Sequence, residues 1–359
     1  MKIKTMNAVI AKKMNDWLSS IKDESLRSTL KNKIIVTGGS ITSMLLNEEV
    51  NDYDIYLTDK EVVKELSQYY CNEWNEIHKD ELNKLNRPKV AWVLDGEDVE
   101  LWKDGRKNLS SFAYDYPDIP FISDEAQWHE LSHKPSNMII NTDKDRIKII
   151  INSDGIGESP EIEISQDEIA DNVEYDVNEF IDELNEDRVE TPNTNKEKYR
   201  PVFLSSNAIT LSDKIQIIIR FYGEPEVIHS NYDFIHTTNY WTFKTGVVVN
   251  ERALLAIMNK ELFYSGSKYP IASIIRTRKF IKRGWQINAG QYLKMAFQIS
   301  ALDLNDISVL EDQLVGVDSI YFLQFIKSVH EDIQSGKLNK DDVRIDSTYV
   351  VSVVDKIFG

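Results

Sequence analysis

The sequence predicts an α+β protein: a head built on a mixed sheet, followed by an α-helical neck or body. Three observations lead there. Short apolar runs rich in isoleucine and valine, such as 34–36 and 215–219, read as buried strands. A glycine pair, Gly38-Gly39, follows the first of these runs and opens a short helix before the next strand. From Glu251 onward the apolar residues recur at helical spacing, over 253–258, 271–280, 292–299 and 318–329. The chain of 359 residues therefore divides into a head over 1–248 and a helical domain over 249–359, with an acidic insertion and linker at about 151–200.

In order, residues 6–30 read as helical, with Val9, Met14, Trp17 and Leu18 near one face and Leu26 and Leu30 further along. The strand at 34–36, the glycine turn and its helix come next, then a strand carrying Asp52-Tyr53-Asp54. Thr58 or Asp59 can cap a helix running through Val62, Leu66 and Tyr70 toward Trp74. Residues 89–94 and 98–102 flank Asp95-Gly96, which predicts a hairpin. A second hairpin is expected between 146–151 and 161–164. The stretch 158–190 is acidic, with a partly amphipathic helix near 177–187, and reads as a solvated insertion followed by a linker over 191–199. Strand character resumes at 202–211 and 214–220.

Composition narrows the class. Hydrophobic content of 42% is enough for a sizeable core, and the single cysteine, Cys71, excludes a disulfide framework and a four-cysteine zinc site. No apolar run approaches membrane-spanning length and the N-terminus lacks a signal-peptide core, so a soluble cytoplasmic chain is expected. The formal charge of −17 is uneven: residues 151–200 carry −12, residues 1–150 carry −5, and residues 201–359 are balanced. An acidic balance of this size argues against a non-specific nucleic-acid binder, while leaving room for a local basic groove.

The chemistry concentrates at Val36-Thr37-Gly38-Gly39-Ser40 and, twelve residues beyond Ser40, at Asp52 and Asp54. Glycines let the backbone approach a phosphate, and the amides opening a helix attract its charge. Alternate residues of a strand share a face, so Asp52 and Asp54 are expected side by side, where their mutual repulsion invites a hard cation such as Mg²⁺. A phosphate cradle beside a carboxylate pair is what phosphoryl or nucleotidyl transfer needs.

At these residues, over Ile34 to Leu57, the chain resembles the nucleotidyltransferase superfamily, in particular the branch of CCA-adding enzymes and bacterial poly(A) polymerases together with phage-encoded relatives. The family pattern there is a strand, Gly-Gly-Ser or Gly-Gly-Ala, a helix, then Asp-x-Asp on a strand. Further along, residues 214–220 look like the family's partner strand, 231–236 like its Asp-Phe motif, and 276–287 like its basic neck helix. The resemblance implies a nucleotidyltransferase head moving a nucleoside monophosphate from an NTP to an acceptor hydroxyl, an RNA 3′ end among the candidates, with Mg²⁺ or Mn²⁺ as cofactor. It implies metal ligation and catalysis by Asp52 and Asp54, and nucleotide contacts from Gly38, Gly39, Ser40, Asp233, Arg276 and Lys279. The family's third carboxylate is replaced by Gln216, a weaker metal ligand and no base at neutral pH; Glu100 and Asp233 are the acids that could take its place. The rival reading is a non-catalytic nucleotide-binding or assembly protein on the same fold.

Two other patterns need weighing. Arg276, Lys279 and Arg283 share one helix face, flanked by Arg278 and Lys282, the densest positive cluster in the chain. His129-Glu130-Leu131-Ser132-His133 matches the zinc-protease H-E-x-x-H pattern, but Pro135 ends any helix there and no third ligand follows.

Overall fold

The computed structural model describes residues 1–77, 90–97, 144–152 and 198–303 (residue 206 apart), with Val309 and Gln313 beyond them. Among these the protein is a mixed α+β structure. The described residues fall into two compact units. The first draws on Met1–Glu163, Asn195–Ser230 and Asn239–Val249; the second draws on Asn231–Thr238 and Asn250–Gly359.

The first unit begins with α1 (Ile3–Ser20), whose Met6, Ile10, Met14 and Trp17 are buried along one stripe. The helical stretch expected over 6–30 consists of two helices. The chain breaks at Ile21, and Asp23 caps α2 (Glu24–Lys31) by accepting from the Leu26 N–H at 2.9 Å. Next come β1 (Ile34–Thr37), α3 (Gly39–Leu46), β2 (Tyr53–Leu57) and α4 (Lys60–Ile77). After them follow β3 (Val90–Asp95), β4 (Ile147–Asn152), β5 (Pro201–Leu204), β6 (Ala208–Leu211), β7 (Ile215–Tyr222) and the short α5 (Pro225–His229). The short strands β8 (Tyr240–Thr242) and β9 (Gly246–Val248) complete it.

Seven strands make one sheet in the order β5-β6-β7-β2-β1-β8-β9. Only β2 and β7 run parallel; every other neighbouring pair is antiparallel. On β7, burial alternates strictly over Ile215–Arg220: Ile215, Ile217 and Ile219 are buried, whereas Gln216, Ile218 and Arg220 are half-buried. The buried face joins Ile34, Val36, Ile55 and Leu57 to the stripe of α1 in one core. Trp17 donates its indole N–H to the Tyr70 hydroxyl at 2.8 Å, tying α1 to α4 inside that core.

At Asp95-Gly96, where a hairpin is expected, the chain enters a helical turn over Gly96 and Glu97. β3 pairs with β4, Val90 opposite Asn152 and Asp95 opposite Ile147, as a separate two-stranded sheet. The Asp95 carboxylate accepts from Lys60 and Lys64, each at 2.8 Å, and from the Glu97 N–H at 3.0 Å. Gly96 and Glu97 are thereby held in a helical turn. Asn75 pins the sheet to α4 by bonding both backbone groups of Ala91. The run 202–211 likewise splits into the antiparallel pair β5 and β6. The segments 98–102, 161–164, 177–187 and 318–329 lie outside the described residues, as do Glu100, His129 and His133.

The second unit holds α6 (Glu251–Asn259), α7 (Pro270–Lys282) and α8 (Ala289–Ile299). Asn250 caps α6 by accepting from the Arg252 and Ala253 N–H groups. Phe234, His236 and Trp285 are buried, and their rings meet that of Phe280 at centroid distances of 4.6–6.0 Å, with His236 and Trp285 4.3 Å apart.

Candidate functional site

Gly38 sits between β1 and α3 with φ +90° and ψ −147°, a conformation that side chains other than glycine's rarely adopt. There is also no room for a side chain. A Cβ at Gly38 would overlap Asp54 Oδ2 and stand 3.3 Å from Asp54 Cγ. Gly39 opens α3, and Ser40 in its first turn is buried, with a hydroxyl that makes no hydrogen bond among the described residues.

Asp54 lies on β2 opposite Thr37 and beside Gln216. Thr210 is opposite Gln216, and Tyr240 is opposite Thr37. Registered neighbours share a face, so Thr210, Gln216, Asp54, Thr37 and Tyr240 form a polar row across five strands spaced about 4.8 Å apart. Asp52 is not part of this row. It precedes β2, so the two carboxylates expected on one strand are split between a strand and the loop before it.

A junction that the sequence did not announce holds the end of β1. Thr37 Oγ1 donates to the Asn239 carbonyl at 2.8 Å and lies 2.9 Å from His229 Nε2. A hydroxyl has one proton, and the carbonyl takes it, so His229 donates from Nε2. Burial lowers the His229 pKa to about 4, against a weaker upward pull from Glu226, which keeps the ring neutral. The only sequence signal for this junction is the position of Thr37 just before the glycines; its partner is 192 residues away.

Of the remaining candidates, Asp233 and Arg276 meet in the second unit, where the Arg276 guanidinium bonds the Asp233 carboxylate. Asp233 is thus engaged by an arginine in its own unit. Lys279 is exposed on the next turn of α7. Among the described residues no group of three or more His, Cys, Asp or Glu side chains is arranged to hold a metal. Two carboxylates with an amide at Gln216 do not fit a two-ion centre, which needs carboxylates bridging both ions.

Comparison with known proteins points away from transfer chemistry. The model of the Gad2 family, described as Gabija anti-defense 2 family protein, matches residues 8–260. A similar protein is "Gabija anti-defense 2" of Bacillus phage SPbetaL7, 24% identical over 112 residues, which are 30% of this chain and 28% of the relative. No solved structure matches. The expected kinship with CCA-adding enzymes and poly(A) polymerases is therefore corrected: the stretch that carries the glycine turn, Asp52, Asp54 and β7 lies inside the anti-defense family match. The assignment as a nucleotidyltransferase, with its transferase and nucleotide-binding descriptors, falls with that kinship, and the phage connection stands. Gln216 beside Asp54 is the physical counterpart of the correction.

Proposed function

Since the chain belongs to the Gabija anti-defense 2 family, we propose that it counters the Gabija defense of an infected bacterium by binding one of its protein components, without catalysing a reaction. The observation that carries this reading is the family match over 8–260, which takes in every described strand of the first unit. Membership fits a non-catalytic binding or assembly role better than a catalytic one. The chain covers only 28% of the length of the named phage relative, so the activity in that relative's name reaches this chain as a proposal.

In this reading the head over 1–248 and the helical body over 249–359 are a scaffold presenting a binding surface. The cofactor expectation stays a proposal in this reading: one Mg²⁺ or Mn²⁺ taking carboxylate oxygens from Asp52 and Asp54, with water completing the shell. The protein acts inside the infected cell; among the described residues no helix is long and apolar enough to cross a membrane.

The test is expression of the chain in bacteria carrying the Gabija defense, scored by phage plating. Restored plaque formation, with co-purification of a defense protein, is the expected result. A soluble, well-expressed chain that leaves the defense intact would overturn the proposal.

A further inference from the structure

The helical stretch of the second unit carries a charge opposite to that of the whole chain. Residues 250–303 hold nine Lys and Arg against three Asp and Glu, a net +6 in a protein of net charge −17. On α7, Ile274, Arg278 and Ile281 stand at i, i+4 and i+7 and so line one stripe, beside the buried residues Ser273 and Thr277. Both isoleucines are exposed, at 39% and 46%. Arg278 between them is half-buried, and its Nη1 is buried without a hydrogen-bond acceptor. No carboxylate among the described residues pairs with it. On the adjoining α8, Leu293 and Phe297 are exposed one turn apart, Phe297 at 74%.

An arginine set between exposed aliphatic side chains is the composition of a protein-binding anchor. Covering the isoleucines removes apolar area from water. A guanidinium already partly out of water gains more from an arriving carboxylate than a fully hydrated one does. Nucleic acid is the poorer occupant, because phosphates offer isoleucine nothing and the chain as a whole is acidic. A second copy is poorer too. Ile274 and Ile281 lie evenly about Arg278, so α7 paired with itself brings two like charges together.

We propose that the stripe of Ile274, Arg278 and Ile281 is a docking surface for a protein partner that presents an apolar groove edged by carboxylates. This rests on the reading above, in which the chain binds a component of the Gabija defense. The test is co-expression of the full chain with each tagged protein of that defense, followed by purification and titration of the complex. Ile281→Asp and Arg278→Glu should each weaken binding about 10-fold or more, while Val9→Ser, at an exposed position on α1, leaves it within about twofold. Wild-type binding should weaken as salt rises, and Arg278→Gln should flatten that dependence. Melting curves identify any variant that fails to fold; Ile274→Asp then stands in for it. If wild type captures no defense protein, the reading above fails and this surface with it. If wild type binds and the folded stripe variants bind equally well, the surface alone is overturned. Self-association or nucleic-acid binding that these variants abolish, with capture of the defense protein intact, also overturns it.

Discussion

Gly38→Ala should be among the most disruptive small substitutions in the first unit. Its φ of +90° with ψ of −147° lies where a side chain costs about 1–3 kcal/mol in backbone strain. The new methyl would overlap Asp54 Oδ2, so the carboxylate must leave its rotamer at about 1 kcal/mol more. The total is about 2–4 kcal/mol, or a fall in melting temperature of about 4–16 °C for a unit of this size. A double-mutant cycle separates the two causes. Asp54→Ala removes the overlap and leaves the backbone strain, so the pair should recover about 1 kcal/mol and no more. Urea unfolding followed by circular dichroism reads all four proteins. A Gly38→Ala midpoint within error of wild type, or complete recovery in the double variant, would refute the reasoning.

Other consequences follow from buried groups. His236 is fully buried among aromatic rings, and burial first, then the Arg283 charge, lowers its pKa to about 3. Below the ordinary histidine value of about 6.5 the unfolded chain takes up a proton that the folded ring refuses, so stability falls as pH drops, by about 1.4 kcal/mol at pH 5.5. His236→Leu should flatten the melting profile between pH 7.5 and 5.5, leaving the share due to His229; an unchanged slope would count against it. Burial alone would raise the Asp95 pKa, yet hydrogen bonds from Lys60, Lys64 and the Glu97 amide outweigh it and hold the carboxyl below its ordinary value. That stabilisation is present above the ordinary carboxylate range and is lost as pH falls through the folded pKa. Asp95→Asn should cost about 1–3 kcal/mol at pH 7, measured by urea unfolding, and a neutral result would show the lysines to be solvated. Tyr70→Phe leaves the Trp17 indole N–H without its 2.8 Å acceptor and should cost about 1 kcal/mol in the same assay.

The local parts of this fold were legible in the sequence, and the distant pairings were not. Periodicity located β1, α3, β7 and the helices α6 to α8 because each depends on neighbours within a few residues. At Asp95-Gly96 the chain enters a helical turn rather than a tight hairpin turn, because turn propensity is weaker than the two lysines of α4, more than thirty residues upstream, that clamp Asp95. The junction of Thr37, His229 and Asn239 joins residues about two hundred positions apart, and no spacing rule reports it. Asp52 and Asp54 were correctly read as close in sequence, but their placement on one strand assumed that β2 begins a residue or two earlier than it does.

The same geometry explains why the motif suggested an activity that the family match does not support. Gly38 has to lack a side chain because Asp54 occupies the space where one would go. The glycine and the carboxylate are thus one packing arrangement seen at two places in the sequence, not two independent signs of chemistry. A turn of this kind constrains the backbone whether or not a reaction takes place beside it. The residue that could tell a reactive site from a scaffold is the next in the row, and there β7 places the amide of Gln216 against Asp54. An amide adds no charge beside Asp54 and takes up no proton at neutral pH, so the residue that would complete a carboxylate trio is here a neutral neighbour in the row.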